Sequence, residues 1–518
     1  MTHEDVPVLI VGGSLVGLTT AMLLGRHGVP SLSVERHPGT AIHPRAGHFQ
    51  VRTMEIVREV GLEEAAREAS LAMYHPRGGI NAVESLAGRE LATYVGDLNE
   101  GIEGFTPTTR LFLNQDVLEP ILRKRALEFG AELRNRTEVS SLEQDGEGVT
   151  AVLRDLDDGG ERTVRARYVV AADGNRSPTR ARLGIGMEGY GLLSRSITIY
   201  FRADVADLLR DRNQGVIYVH NPQLRGFFRI DRTGGRGFLV VNTVGEDVTT
   251  PEAVDVSTGL PPERPMELLR AAIGEDMPME VLDVAHWQAE ANNATSYADG
   301  RIFLAGDAAH VVPPNGGFGG NTGVQDAHNI AWKLAAVVKG EAGPALLESY
   351  DAERRPIGRL TVDQAYARYA MRVVPERGTD DVKEVVDDLT IEIGQVLRSG
   401  AVLTEPGDDG AVHQHPSETR GRPGTRAPHV ELATGSTLDL FGRGFVLLAG
   451  PEGDAPQAPG VTTHVIDASG FPDAYGIGPA GAALVRPDGI VAWRSAGPPA
   501  AGEVPEVLAR ILGTTALV

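Results

Sequence analysis

Cysteine is absent from all 518 residues. That excludes a disulfide framework, a thiol nucleophile, a CxxC redox pair, an iron–sulfur cluster and a Cys-ligated zinc. Any redox chemistry must therefore be carried by a bound cofactor. Lysine is scarce too: only Lys124, Lys333, Lys339 and Lys383 occur, so nearly all positive charge is arginine. Acids outnumber bases to a formal net charge of −21, and a field of that sign repels nucleic acid and anionic lipid. No apolar run approaches the roughly 20 residues of a membrane-spanning helix. Residues 1–5 are acidic and lead straight into a strand, without the basic and apolar regions of a secretory signal. A cytoplasmic protein with no nucleic-acid or membrane partner is expected, and its length, about three typical domains, implies two or three of them.

What is present begins with a strong local pattern. Residues 6–11 are short, apolar and β-branched, and glycine stops them, as in a buried strand. Gly12-Gly13-Ser14-Leu15-Val16-Gly17 follows, then an apolar period through Leu15, Leu18, Met22 and Leu23 that ends near Gly28. A second short strand, 31–34, delivers Glu35. Strand, glycine turn, helix, strand, acid is the order of a dinucleotide site, with pyrophosphate at the helix N-terminus and the carboxylate on a ribose hydroxyl. Ser14 replaces the second glycine of G-x-G-x-x-G; it is small enough to keep the site and is expected to add a hydroxyl contact. The better match by spacing, Gly476 to Gly481, follows no strand, carries Pro479 and leads into a strand. It is read as a loop.

Two later segments extend the site. In 168–180, YVVAADGNRSPTR, a strand stops at Asp173-Gly174, with Ser177 and Arg180 beyond. In 301–334, RIFLAGDAAHVVPPNGGFGGNTGVQDAHNIAWKL, a strand ends in Gly306-Asp307 and a glycine-rich loop precedes a helix expected from about Asn321. Asp307 at a strand's end is placed to accept from a ribityl or ribose hydroxyl. Glycines 316, 317, 319 and 320 let bare backbone pack on a planar ring, and the helix directs N–H groups and the positive end of its dipole there. The N1–C2=O edge of an isoalloxazine, negative when reduced, suits that place.

With these motifs and Tyr350-Asp351-Ala352-Glu353-Arg354-Arg355-Pro356, the chain resembles the class A FAD-dependent aromatic monooxygenases, and among them the actinomycete hydroxylases of aromatic polyketides. The resemblance implies an α/β (α+β) architecture: a Rossmann-like FAD-binding domain interleaved with an antiparallel-sheet substrate domain, plus a C-terminal thioredoxin-like domain. The expected division is 1–180 and 291–400 for the FAD domain with its helical connection, 181–290 for the substrate sheet, and 401–518 for the appendage. It implies non-covalent FAD, NADPH or NADH as reductant, O2 as co-substrate, and oxygen transfer from a C4a-hydroperoxyflavin to a polycyclic aromatic intermediate. Baeyer–Villiger insertion or oxidative rearrangement on the same fold, and a non-catalytic flavin-binding protein, remain alternatives. The chain is expected as a monomer or homodimer.

Residue by residue, the resemblance assigns Gly12, Ser14, Gly17, Glu35 and Arg36 to the ADP half. Arg45 falls to the flavin and its swing path, Gln115 to the ribityl or phosphate region, and Asp173 to FAD and NAD(P)H together. Asp307, Pro314, Gly319, Gly320 and Asn321 fall to the isoalloxazine. Arg45 is also readable as a surface arginine, and Gln115 as a helix-cap partner. His310 is read either as touching substrate or flavin, with Arg45 as its catalytic companion, or as satisfying a loop carbonyl. His43, His48, His413 and His415 lack carboxylates at ligand spacing, so no metal is expected. Residues 196–201, 215–219, 227–230 and 238–241 read as an antiparallel meander, with Tyr200, Tyr218, Phe228 and Trp287 as candidate pocket walls. Residues 342–400 read as helical, with breaks around 354–361, and 405–428 as a linker.

Overall fold

The computed structural model describes residues 3–43, 45–210, 215–244, 260–374, 381–453 and 456–514. Parts of the expected 181–290 and 401–518 domains therefore lie outside the described residues. The first sheet runs Ile302–Leu304, Glu161–Ala171, His3–Val11, Ser31–Glu35, Glu132–Asn135, all parallel. An antiparallel hairpin, Thr137–Gln144 with Val149–Asp155, hangs from the strand Glu161–Ala171. Val8 and Ile10 point to a helical layer containing Leu18, Met22, Ile330 and Leu334, while Leu9 and Val11 point to the hairpin side at Val149, Ala151 and Leu153. Burial on both faces is why this strand reads as one apolar run and not as an alternation.

The second sheet has eight strands in the order His310–Val311, Met279–Ala294, Met187–Ala203, Arg236–Val244, Leu224–Ile230, Val216–Asn221, Ile80–Val83, Glu90–Val95. The meander is as expected, but two strands arrive from residues 80–95, so a break at 180 does not separate the domains. The chain must cross between the sheets several times, and across the cleft between the domains His43 stacks on Tyr200 of the second sheet. One face of the second sheet packs Ile197, Ile199, Phe201, Ile217, Phe228 and Leu239 onto the helix Arg264–Ile273. The opposite face turns to the first domain.

The helix Phe318–Lys339 begins three residues before Asn321, because Gly317 at φ +67 already turns the chain into it. Gly319 and Gly320 therefore lie in the first turn of the helix. The helix Glu348–Val373 runs unbroken through Pro356, where the sequence pattern suggests two shorter pieces. The C-terminal sheet orders Val461–Val465, Phe445–Ala449, Ala482–Val485, Val491–Ser495. Gly476 ends the helix Phe471–Tyr475 and Gly481 precedes a strand, so that stretch is indeed a loop.

The segment 405–428 is not a free tether. Arg398 and Arg422 share Asp408, and Thr425, Arg426 and Ala427 are buried. The appendage shares a core with the FAD-side helices: Trp332 meets Phe445 edge-on at 5.7 Å between ring centres. Lys333 and Glu353 from those helices meet Arg486 and Asp488 from the appendage in a network whose side chains are at most 3 % exposed. Among the described residues, no helix is long and apolar enough to cross a membrane.

Candidate active site

The dinucleotide turn is held by close backbone packing. Gly12 sits at φ +110, and a side chain there would run into the carbonyl of Ala172; one on Gly17 would run into the carbonyl of Gly12. Glu35 accepts the Gly13 amide at 2.7 Å and the His37 amide at 2.9 Å, and Arg36 beside it is exposed.

Ser14 departs from expectation. Its hydroxyl points inward and donates to Glu119 at 2.5 Å, instead of standing free for a phosphate. Glu119 is fully buried on the helix Gln115–Glu128. It also accepts from the Leu15 amide at 2.9 Å, Gln115 Nε2 at 2.7 Å and the Ala41 amide at 2.6 Å. One carboxylate thus ties the glycine turn, the 41–46 segment and the Gln115 helix together. Gln115 is spent in the same network: Nε2 donates to Ser14 and Glu119, and Oε1 accepts from Ala46. It neither caps its helix nor stands free for a cofactor contact. Glu119 was legible only as the i+4 neighbour of Gln115 on one helical face.

The two Asp-Gly segments are joined. Asp173 accepts from Ser177 Oγ and the Thr179 amide, ordering the short helix Pro178–Arg182. Arg180 from that helix donates to the carbonyl of Ala308, next to Asp307. Asp307 is exposed on the cleft side, and desolvation there raises its pKa while the charges of His310 and Arg45 oppose the rise. Arg45 is exposed in the same cleft, and its charge is also felt by Tyr200 on the second sheet, whose hydroxyl burial pushes up to about 12. His43 completes this bridge by stacking on Tyr200 at 4.3 Å and meeting Asp283 at 2.8 Å.

Gly306, at φ +61, and Gly323 both press against Val16, and Gly320 presses on Leu15 and Ala46. The first helix, the Gly306-Asp307 loop and the Phe318 helix can approach only because these positions lack side chains. Pro314 is exposed at the loop tip. Asn321 is buried and satisfied internally: Oδ1 accepts from the Gln50 amide and Thr53, and Nδ2 donates to the carbonyls of His48 and Gly317. It shapes the loop instead of presenting its amide to the cleft.

Two expectations need correction. His310 is 0 % exposed and its Nε2 lies 2.6 Å from Asp326, which also binds Arg354. Enclosed beneath the loop, it cannot touch substrate or flavin, and it serves the ion network. Phe228 lies on the wrong face of its strand, in the core against Phe201. Strand parity puts Phe227 on the cleft face instead. There Tyr94, Tyr218, Phe227, Phe238 and Tyr200 form successive ring contacts with centroids 5.7 to 6.4 Å apart. Trp287 shares this face, where its indole N–H donates to Thr198 at 2.9 Å.

These two phenylalanines should separate experimentally. Phe228→Ala is expected to destabilise the protein by about 3–5 kcal/mol in denaturant melts, as large core truncations do. Phe227→Ala is expected to cost much less stability and to weaken aromatic-ligand binding. Equal effects on both readouts would contradict the face assignment. Glu119→Ala strands four donors, each worth roughly 1–3 kcal/mol when buried unmade. We expect FAD affinity, read by flavin fluorescence on titrating apoprotein, to fall at least tenfold, with Glu119→Gln intermediate.

Comparison with known proteins accords with this geometry. Residues 5–365 match the family described as FAD binding domain, and 420–515 the aromatic-ring hydroxylase C-terminal family. A 4-methyl-5-nitrocatechol 5-monooxygenase of Burkholderia sp. is 56% identical over 517 residues, covering 95% of this chain and 94% of that protein. A tetracenomycin A2 monooxygenase-dioxygenase of Streptomyces glaucescens is 39% identical, covering 99% and 98%. The crystal structure of an aklavinone-11 hydroxylase with FAD and aklavinone superimposes with a TM-score of 0.90 at 37% identity, over 99% of this chain and 100% of that one. With the glycine turn, the paired Asp-Gly segments and the aromatic sheet facing one cleft, the chain belongs to the FAD-dependent aromatic monooxygenases of the polyketide-hydroxylase type.

Proposed function

We propose that this enzyme uses NAD(P)H and O2 to place one oxygen atom on a phenolic aromatic ring. The Gly12–Leu15 turn would hold the diphosphate of FAD, Glu35 its ribose and the 314–320 loop its isoalloxazine. The observation that carries this reading is the glycine cradle, where Gly12 and Gly17 pack on backbone carbonyls and Gly306, Gly320 and Gly323 on Val16, Leu15 and Ala46, so that the first turn, the Gly306-Asp307 loop and the Phe318 helix meet closely. Bound FAD supplies electron storage and oxygen activation. At a ring carbon bearing hydrogen, substrate C–H, O2, NAD(P)H and a proton become substrate C–OH, water and NAD(P)+; at a carbon bearing a nitro group, nitrocatechol, O2 and NAD(P)H become hydroxyquinone, nitrite, water and NAD(P)+.

The chain's own residues bind, orient and exclude water. Asp307 accepts a cofactor hydroxyl, while Arg45 and the start of the Phe318 helix put positive charge where the flavin gains electrons. Asp173 and Arg180 brace the Asp307 loop during entry of the nicotinamide. The aromatic face stacks the substrate ring. Tyr218, whose hydroxyl oxygen accepts from Asn315 Nδ2 at 3.3 Å, keeps its own proton to donate to a substrate oxygen.

The substrate is of the catechol class, a reading favoured by the 56% identity to the nitrocatechol monooxygenase. A second reading, a polycyclic aromatic of the polyketide type, is favoured by the match to the aklavinone complex. Anaerobic mixing of holoenzyme with NADPH or NADH tests both. A catechol such as 4-methyl-5-nitrocatechol should accelerate flavin bleaching, and aerobic turnover of that probe should release nitrite and a hydroxyquinone. Acceleration by polycyclic phenols alone would favour the second reading. Failure of every ligand to bleach the flavin would leave a flavin-binding protein, and an inserted ring oxygen in the product would indicate Baeyer–Villiger chemistry.

A further inference from the structure

Six arginines are buried among the described residues, and five of them pair with a carboxylate. Arg110 takes Glu392, Arg354 takes Asp326, Arg368 takes Asp388, Arg426 takes Glu55, and Arg486 takes Glu353 and Asp488. Arg229 is the exception. It is 4 % exposed, no described carboxylate meets it, and both its Nε and Nη2 are buried without a partner. Nη1 donates to the carbonyl of Gly47. The rest of its environment is aromatic: its guanidinium carbon lies 4.5 Å from the ring centre of Tyr74 and 5.0 Å from that of Phe112.

An unpaired buried charge is costly even after relaxation, and cation–π contacts with two rings offset part of that cost. The charge also has a telling address. Arg229 stands on the cleft side of its strand, and Gly47 must lack a side chain to admit it. Gly47 is two residues from Arg45, whose charge reaches Asp307. It adjoins His48, which rests against Gly317 at the start of the Phe318 helix. The cleft wall proposed above for the isoalloxazine thus carries a fixed cation that no described acid neutralises.

We infer that Arg229 is a positioning residue that supplies an uncompensated positive charge to the flavin side of the cleft and so favours the reduced cofactor. Reduction of the neutral ring by two electrons and one proton, from a nicotinamide or dithionite, adds one negative charge. A desolvated cation nearby lowers the energy of that product relative to the oxidised form. The inference rests on the FAD placement above, and flavin content measured first keeps the two apart: protein without flavin would overturn the placement.

The test is the two-electron midpoint potential of bound FAD in wild type, Arg229→Gln, Arg229→Met and Arg229→Lys. Loss of the charge should shift the balance toward oxidised flavin about tenfold, a fall of about 30 mV. Arg229→Lys, which keeps charge but not the planar fork, should stay within about twofold of wild type. Flavin-loaded Arg229→Gln or Arg229→Met at the wild-type potential would overturn the inference. If neither accumulates as holoenzyme, the lysine variant decides: a wild-type potential supports the role of charge, and a tenfold fall refutes it.

Discussion

Alanine at position 12 is expected to leave the protein without FAD. Gly12 holds φ +110, and its amide donates to the carbonyl of Val34 at 2.8 Å, so the turn cannot relax by rotating away. A methyl group there would meet the Ala172 carbonyl oxygen, with the Ala172 carbonyl carbon at 2.7 Å and the Asp173 amide at 3.3 Å. The first glycine turn and the Asp173-Gly174 turn must then separate. Left-handed strain and overpacking together cost about 2–5 kcal/mol, which is more than tenfold in any equilibrium they oppose. Flavin absorbance of the purified variant checks it. Gly28→Ala is the control: φ is +74, but nothing lies within 4 Å of the added carbon, so only local strain is introduced. It should cost about 1 kcal/mol and retain full flavin. A flavin-replete Gly12→Ala protein would contradict the placement of the ADP half.

Arg486→Met is expected to loosen the C-terminal domain from the FAD-side helices. Arg486 donates to Glu353 at 2.6 and 2.9 Å and to Asp488 at 2.9 and 2.5 Å, and Lys333 adds a bond to Glu353 at 2.8 Å. Two acids and two bases balance. Removing one base leaves two buried carboxylates with a single lysine, and breaking such a set costs about 3–5 kcal/mol. In the wild-type protein the Arg486 charge is the main influence holding both carboxyls below their ordinary values against burial. Without it, burial raises at least one of them above its unfolded value. Such a group contributes stability below the unfolded pKa and loses it as pH rises through the folded one, so the variant should be least impaired near pH 5 and more impaired at pH 8. Denaturant melts at the two pH values check the sign. An impairment independent of pH would mean that the arginine acts only as packing.

How much of this was legible depended on range. The strand–turn–helix–strand unit ending at Glu35 is written in contiguous residues, because glycine conformation and apolar period are local properties. The Gly306-Asp307 loop and the Phe318 helix were legible for the same reason, short of the helix's first turn, where Gly319 and Gly320 argue for a loop until Gly317 is seen to cap. Phe228 was misplaced because a short apolar strand gives no sign of which face it buries. Only pairing with Ile217 and packing on the helix Arg264–Ile273 settle the parity. His310, three residues after Asp307, reads from the sequence as reaching substrate, flavin or a loop carbonyl, but Asp326, sixteen positions on, takes it inward.

By itself, the sequence determined the cofactor class, the order of the FAD-binding elements and, through missing cysteine, that the C-terminal domain has no thiol chemistry. Backbone turns, helix starts and burial on both sheet faces follow from neighbouring residues, so they need no knowledge of the rest of the chain. Tertiary structure alone decided which charges meet. Glu119 reaches Ser14 across 105 positions, Arg486 reaches Glu353 across 133, and Arg229 ends against Gly47, 182 positions away, with no described acid beside it. Desolvation makes those pairings, and the one omitted, energetically decisive, and desolvation exists only once distant segments have closed over the same space.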